Sequence, residues 1–116
     1  MGAGLYLHVP FCRRKCPYCN FYSVPAQPEL LAAYTAAVCR NLRHYGNAAQ
    51  PERVDTVYFG GGTPSLCTPE AIRGLLDHAA RLFDCSGAEE TTLEANPDDL
   101  TAEYLDGLLE AGIDRL

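Results

Sequence analysis

Three cysteines lie close together near the start of the chain. Cys12, Cys16 and Cys19 form a C-x3-C-x2-C pattern, and the residues at 13–15 are all basic, which lowers the pKa of nearby thiols and favours the metal-binding thiolate. A structural zinc site normally takes four protein ligands, often in C-x2-C pairs, and the sequence offers no partner pair. Three thiolates instead suit a [4Fe–4S] cluster whose fourth iron is open to an outside ligand. The pattern therefore predicts an iron–sulfur cluster, with a zinc knuckle as the alternative.

A run of glycines is the second feature that could do chemistry. Gly60, Gly61 and Gly62 come directly after an apolar, β-prone stretch and are followed by Thr63-Pro64. Glycine lets the backbone approach a ligand without obstruction by a side chain. The run is not a nucleotide-binding P-loop, because no Gly-Lys-Ser/Thr follows the required spacer. The sequence predicts a ligand-binding loop here, and a tight turn is the alternative.

Glu94 is the third candidate. It ends a short β-prone stretch and is followed by Ala95-Asn96-Pro97. An isolated glutamate in such a place is ordinarily a solvated edge residue or a structural partner. We expect His8 to pack structurally rather than to move a proton. The isolated cysteines are also expected to be structural; they are Cys39, Cys67 and Cys85.

The elements that must position these residues alternate along the chain. The predicted strands are 5–9, 54–59, 91–95 and 113–116, and the predicted helices are 28–45, 69–83 and 101–111. Thr68-Pro69 is typical of a helix start, and Gly112 of a helix end. The order β-α-β-α-β-α-β predicts a parallel sheet with right-handed crossovers. A small flavodoxin-like sheet is the alternative.

The three candidate features are expected to meet at one end of that sheet. In a parallel βα barrel, ligand-binding residues gather at the carboxyl ends of the strands. The first predicted strand ends in the cysteine stretch, the second in the glycines and the third at Glu94. The chain stops four residues into the fourth predicted strand. We therefore expect residues 1–116 to be the N-terminal part of a larger barrel.

Composition narrows the classes of partner. The chain has 116 residues, of which 47% are hydrophobic, and a formal net charge of −6 at pH 7. An acidic chain argues against a general nucleic-acid binder, which needs a basic face for the phosphates. No apolar run approaches the roughly 20 residues of a membrane span, and the first residues do not form a signal-peptide pattern. The expected location is the cytoplasm, where thiols stay reduced and can ligate metals.

Four motifs along the chain fit one known pattern. They are Tyr6-Leu7-His8-Val9-Pro10-Phe11-Cys12, Cys16-Pro17-Tyr18-Cys19, Tyr58-Phe59-Gly60-Gly61-Gly62-Thr63-Pro64-Ser65 and Leu93-Glu94-Ala95-Asn96-Pro97. Together they resemble the radical S-adenosylmethionine (SAM) superfamily, and within it the oxygen-independent coproporphyrinogen III oxidase group. The resemblance implies an α/β fold, the N-terminal half of a partial (β/α)6 TIM-like barrel with parallel strands and outer helices. It implies that the remaining barrel and a C-terminal domain are absent from residues 1–116, which are expected to be inactive alone.

The resemblance also implies a role for each matched residue. Cys12, Cys16 and Cys19 would ligate a [4Fe–4S] cluster, and S-adenosylmethionine would occupy the open iron. The backbone of Gly61-Gly62-Thr63 would hydrogen-bond the methionyl end of this cofactor. A bulkier residue at 62 is then expected to weaken cofactor binding and spare the cluster. Further contacts to the cofactor would come from Tyr6, Tyr18 and Glu94, and no side chain is assigned as catalytic.

Two branches of the group differ just after the cysteines. By the resemblance, coproporphyrinogen dehydrogenases carry a further cysteine where this chain has Phe21. The sequence is thus more similar to HemW-type heme chaperones, although Asn20 replaces the aspartate common there. That branch implies heme or porphyrin, heme-accepting apoproteins and an electron donor as partners. The alternatives are a coproporphyrinogen III dehydrogenase of porphyrin biosynthesis and a non-catalytic iron–sulfur or heme-binding remnant.

Overall fold

The computed structural model of the chain describes residues 2–12, 24–25, 28–46 and 53–116. Three of the predicted site residues, Cys16, Tyr18 and Cys19, lie outside the described residues, as do Asn20 and Phe21. Of Cys12 the structure describes the backbone. The positions of the cluster ligands relative to one another are therefore still a prediction from the sequence.

Strands and helices alternate as the sequence predicts. The strands are β1 (Ala3–Val9), β2 (Phe11–Cys12), β3 (Val24–Pro25), β4 (Val54–Gly61) and β5 (Glu90–Leu93). The α-helices are α1 (Pro28–Gly46), α2 (Pro69–Leu82) and α3 (Ala102–Ala111), and two short 3₁₀ helices cover Pro64–Leu66 and Pro97–Asp99. The short strands β2 and β3, which pair in parallel, and both 3₁₀ helices were not expected from the sequence.

The main sheet is parallel and has the order β1-β4-β5. Each neighbouring pair is joined by a crossover that contains a helix, α1 between β1 and β4 and α2 between β4 and β5. Parallel strands need such a crossover, because a tight turn cannot reverse the chain twice. The predicted α/β class with parallel strands is confirmed.

The predicted fourth strand pairs with β5 through a single bridge, Thr92 with Arg115. Leu93 N donates to Arg115 O at 3.0 Å, and Arg115 N donates to Thr91 O at 3.2 Å. One residue earlier, however, the Asp114 side chain takes the Thr91 N–H at 2.9 Å. A carboxylate that accepts a backbone N–H removes that donor from the ladder. The Asp114 carboxylate thus stands in for a ladder acceptor at Thr91, and residues 113–116 contribute one pair to the sheet.

The two faces of the sheet differ in what covers them. Leu7, Val9, Phe59 and Leu93 are buried in the core together with residues of all three helices; the helix residues are Leu42, Ile72, Leu75, Ala79 and Leu108. Since side chains alternate along a strand, Tyr6, Tyr58 and Thr92 lie on the opposite face. The helices thus cover one face, as in the outside of a βα barrel.

The helix ends follow the local signals in the sequence. Thr68 accepts a hydrogen bond from Ala71 N, and Pro69 occupies the first helical position of α2. Thr101 accepts from Tyr104 N at the start of α3. Gly112 ends α3 in the left-handed region at φ +114°. These caps satisfy backbone groups that a helix end leaves unpaired.

Candidate functional site

The glycine stretch is attached directly to the segment that carries the first cysteine. Gly62 N donates to Val9 O at 2.7 Å, and Thr63 N donates to Phe11 O at 2.6 Å. A Cβ atom at Gly62 would lie 2.5 Å from Phe11 O, closer than side chains tolerate. Glycine is therefore required at 62 by the close approach of two backbone segments. This contact places the stretch beside Cys12, the residue after Phe11.

Glycine is required at position 61 for a different reason, its backbone conformation. Its φ is +109°, a conformation that L side chains rarely adopt, and a Cβ there would lie 2.7 Å from the His8 ring. The residue also donates its N–H to Glu94 Oε1 at 3.1 Å. The left-handed turn thus directs the chain from β4 toward Phe11 while it holds the end of β5.

The backbone donors of this stretch are already used. Gly61 N bonds Glu94, and the N–H groups of Gly62 and Thr63 bond carbonyls of residues 9 and 11. A phosphate loop works in the opposite way, since it directs free N–H groups at an anion. Each carbonyl oxygen has two lone pairs, so carbonyls are what this stretch can offer a ligand. Its chemistry suits a hydrogen-bond donor such as an ammonium group.

The Glu94 carboxylate is held at both oxygens. Tyr58 donates its hydroxyl to Oε2 at 2.7 Å, and Gly61 N donates to Oε1. The hydrogen bond to Glu94 raises the pKa of Tyr58 above its usual value, because removing its proton would leave two negative groups in contact. A carboxylate has about four acceptor sites, so two donors leave room for a ligand. Glu94 is therefore oriented, exposed and able to accept further hydrogen bonds.

Two tyrosines form a wall beside Glu94. The rings of Tyr6 and Tyr58 stack with centroids 5.9 Å apart and planes 16° apart, because the two residues are register neighbours in β1 and β4. The Tyr6 hydroxyl hydrogen-bonds His8 Nδ1 at 3.2 Å, and Tyr6 stays 54% exposed. Desolvation, with a smaller contribution from the Glu94 charge, raises the pKa of Tyr6. An exposed aromatic surface thus lies next to the oriented carboxylate.

Tyr58 has a direct role in this arrangement that the sequence analysis did not assign. It stands in the same motif as the glycines, two residues before Gly60. Residues two apart on a strand share a face, so Tyr58 and Gly60 point to the same side as Tyr6 and His8. The alternation of side chains along the strand was the sequence signal from which this role of Tyr58 could have been predicted.

A cavity of about 460 Å³ lies between the ends of β4 and β5. Its lining residues are Gly62, Thr63, Glu94, Ala95 and Asn96. The structure thus brings together Gly61, Gly62, Thr63, Glu94 and, through Tyr58, also Tyr6. A larger cavity of about 740 Å³ lies between the N-terminal ends of α2 and α3 and is lined by Thr68, Tyr104 and four acidic residues. It contains none of the predicted site residues.

Other features of the described residues bear on the predicted metal and membrane properties. Among side chains that the structure describes, no three His, Cys, Asp or Glu residues are arranged to hold a metal. The cluster prediction therefore depends on residues 12–19. Cys67 is buried, and Cys39 and Cys85 are half-buried free thiols, which agrees with structural roles. No helix within the described ranges is long and apolar enough to cross a membrane.

Comparison with known proteins agrees with the family resemblance that the motifs carry. The sequence is 36% identical over 119 residues to the heme chaperone HemW of Haemophilus influenzae, covering 97% of this chain and 31% of that protein. It is 40% identical over 116 residues to the heme chaperone HemW of Bacillus subtilis, covering 96% of this chain and 30% of that protein. The chain thus spans less than a third of the length of these curated relatives.

A solved structure has the same arrangement of elements. Coproporphyrinogen III oxidase (HemN) from Escherichia coli, described as a radical SAM enzyme, superposes with a TM-score of 0.85 and 27% sequence identity, over 97% of this chain and 26% of that one. The profile of the Radical SAM superfamily matches residues 6–116. With the strand-end site, this profile and these relatives in agreement, the chain belongs to the radical SAM superfamily.

Proposed function

We propose that this chain is the cluster- and cofactor-binding part of a HemW-type heme chaperone. Residues 1–116 would form the N-terminal part of its radical SAM core domain. The observation that carries the proposal is the attachment of the glycine stretch to the segment that begins the cysteine motif, with Gly61 also bonded to Glu94. This attachment brings the predicted cluster ligand Cys12 and the predicted cofactor contacts to one end of the sheet.

The donor set fits an open iron–sulfur cluster. Cys12, Cys16 and Cys19 would supply three thiolates, and β2 brings the backbone of Cys12 beside the glycine stretch. Soft thiolate ligands select iron–sulfur clusters and zinc over magnesium or calcium. The basic residues at 13–15 would favour the thiolate form.

The described residues also fit S-adenosylmethionine. Carbonyl oxygens at Gly61 and Gly62 would accept from the methionyl ammonium, since the N–H groups of this stretch are used internally. Glu94, held by Tyr58 and Gly61, would accept from the cofactor through its remaining lone pairs. Further contacts are proposed from Thr63, Tyr6 and Tyr18. When bound, the cluster and the cofactor together supply radical chemistry, while the protein orients them and excludes water.

The function of the whole protein is proposed from its relatives. HemW names at 36% and 40% identity support a heme chaperone. Transfer of heme to apoproteins, a cytoplasmic location and an electron donor that reduces the cluster are added to the proposal from the family resemblance. The similarity to the Escherichia coli oxidase supports a second candidate, oxidation of coproporphyrinogen III. Phe21, at the position where the resemblance expects a cysteine in the oxidase branch, favours the chaperone. A non-catalytic iron–sulfur or heme-binding remnant is the third candidate.

Anaerobic reconstitution tests the cluster. We expect the chain to take up about four irons and four sulfides and to show a thiolate-to-iron absorbance band. Replacing Cys12, Cys16 or Cys19 with Ala should abolish the band. The matched controls are Cys39→Ala and Cys85→Ala, which remove half-buried thiols outside the motif. Equal loss of the band in all five variants would contradict the assignment.

Two titrations separate the first two candidates. Hemin added to the reconstituted chain would produce a Soret band if this part contributes to heme binding. Because residues 1–116 are expected to be inactive alone, the full-length protein is incubated with coproporphyrinogen III, S-adenosylmethionine and a reductant, and chromatography shows whether the porphyrinogen is consumed. Heme binding without consumption supports the chaperone, and consumption of coproporphyrinogen III would favour the oxidase instead. A protein that holds the cluster or heme but neither binds S-adenosylmethionine nor consumes coproporphyrinogen III would favour the remnant.

A further inference from the structure

A buried serine hydroxyl joins the two loops that form the candidate site. These are the β4 loop, residues 62–68, and the β5 loop, residues 94–99. Ser65 is 5% exposed and lies in the 3₁₀ helix Pro64–Leu66, directly after the glycine stretch. Its Oγ donates to Asp99 Oδ2 at 2.7 Å and accepts from Asn96 N at 3.0 Å. One side chain of the β4 loop thus holds both a backbone group and a carboxylate of the β5 loop.

The β5 loop has its own local structure, which does not bond it to the β4 loop. Asp98 N donates to Asn96 Oδ1 at 3.1 Å, and Asp99 N donates to Asn96 O at 2.9 Å. These bonds close residues 96–99 into a turn. The bonds from Ser65 connect that turn to the glycine side of the site.

Hydrogen bonds therefore connect the β4 side and the β5 side of the site at two places. At the end of the sheet, Gly61 N bonds Glu94 Oε1. Beyond it, Ser65 bonds Asn96 and Asp99. The cavity of about 460 Å³ is lined by residues 62–63 on one side and 94–96 on the other. The second link thus holds the far side of the cavity at a set distance from the glycine carbonyls.

We propose that Ser65 is a positioning residue for the S-adenosylmethionine site. Through Asn96 and Asp99 it sets the separation between the carbonyls of the glycine stretch and Ala95-Asn96 on the opposite wall of the cavity. The inference rests on the proposed function, because it concerns the cofactor assigned to this cavity. Without the hydroxyl, Asn96 N–H and the Asp99 carboxylate each lose a partner inside the loop contact. The β5 loop would then move away from the glycines, while Tyr58 and Gly61 still hold Glu94.

The test compares variants of the anaerobically reconstituted chain by equilibrium dialysis with S-adenosylmethionine. Ser65→Ala should raise the dissociation constant about tenfold, since each hydrogen bond has a modest net value and two are lost. Ser65→Thr retains the hydroxyl and should stay within about threefold of the wild-type value. Thr101→Ala is the control for stability, because it removes the side-chain hydrogen bond to Tyr104 N and keeps the bonds of Ser65 and the backbone bond from Thr101 N to Asp99 O.

Amide hydrogen exchange of the chain without cofactor supplies a readout independent of binding. In Ser65→Ala the Asn96 amide should exchange faster, whereas the Leu93 amide, which bonds Arg115 O, should not change. Thr101→Ala should leave the Asn96 rate as in wild type.

The outcomes separate this inference from the proposed function. Wild-type affinity in Ser65→Ala, or an equal loss in Thr101→Ala, would overturn the positioning role and leave cofactor binding in place. An unchanged Asn96 exchange rate in Ser65→Ala would also overturn it. A wild-type chain that assembles its cluster but binds no S-adenosylmethionine would overturn the cofactor assignment, and the role of Ser65 with it.

Discussion

Two glycines of this chain should respond to alanine in opposite directions. A Cβ at Gly62 would lie 2.5 Å from Phe11 O and 3.0 Å from Phe11 C and N, all of them backbone atoms that cannot rotate away. A Cβ at Gly74, in α2, would meet nothing within 4 Å. The pair therefore separates the effect of close backbone approach from the general effect of replacing glycine.

The magnitude follows from the distances. To reach ordinary contact at 3.4 Å, the segment at 62 must move nearly 1 Å away from Phe11. That movement would break or strongly weaken the bonds from Gly62 N and Thr63 N, now 2.7 and 2.6 Å long. Two such bonds contribute about 1 kcal/mol each, and Gly→Ala recovers about 0.4–1 kcal/mol through the unfolded chain when the site tolerates it. We expect Gly62→Ala to lower the free energy of unfolding by about 1–3 kcal/mol, out of a total of about 5–15 kcal/mol for an ordinary domain.

The control should move the other way. Gly74→Ala lies in the interior of α2, where alanine is favoured over glycine by about 0.5–1 kcal/mol. Urea denaturation followed by far-ultraviolet circular dichroism gives both values, provided the slopes of the three transitions agree. A wild-type midpoint in Gly62→Ala, or a loss of similar size in Gly74→Ala, would refute the reasoning.

The structure also changes the effect that we expect Gly62→Ala to have on the cluster. The glycine stretch was expected to affect cofactor binding and spare the cluster. In the structure Gly62 touches Phe11, the residue before Cys12, so a displaced Phe11 would displace the predicted cluster ligand Cys12. Iron content after anaerobic reconstitution should therefore fall in Gly62→Ala and stay at the wild-type value in Gly74→Ala.

Three further predictions each concern one residue. Tyr58→Phe removes the donor to Glu94 Oε2 and should raise the dissociation constant of S-adenosylmethionine by about threefold to tenfold; Tyr45→Phe, at a residue 76% exposed, should leave it unchanged. Gly112→Ala forces a side chain into the left-handed end of α3 at φ +114° and should lower the free energy of unfolding by about 1 kcal/mol, measured by urea denaturation. Burial raises the pKa of the Cys67 thiol from 9.0 to about 11, so its neutral form stabilises the folded chain fully below pH 9, and this contribution is lost as the pH rises from 9 through 11. The urea concentration at the midpoint of unfolding should fall over that pH interval in wild type and fall less in Cys67→Ala. An equal fall in the two proteins would contradict the raised pKa of Cys67.

Local patterns in the sequence were enough to predict the main strands and helices, and they suggested the chemical types of the candidate site. The C-x3-C-x2-C spacing indicated a cluster, and alternation with periods of two and three to four residues indicated strands and helices. Thr68-Pro69 and Gly112 indicated helix ends because caps depend on a few adjacent residues. The parallel order of the strands followed from their alternation with helices.

Only the tertiary structure decided which residues act on one another. The close approach that requires glycine at 62 is a contact with Phe11, 51 positions away, and the pairs Tyr58–Glu94 and Ser65–Asp99 span 36 and 34 positions. No local pattern encodes such distances, because they depend on how the crossovers bring separate strand ends to one edge of the sheet. The same holds for Asp114, whose side chain accepts a hydrogen bond from Thr91 N. Residue types and spacing thus indicated which chemistry to expect of this protein, and packing determined which carboxylate, hydroxyl and backbone groups lie together at the strand ends.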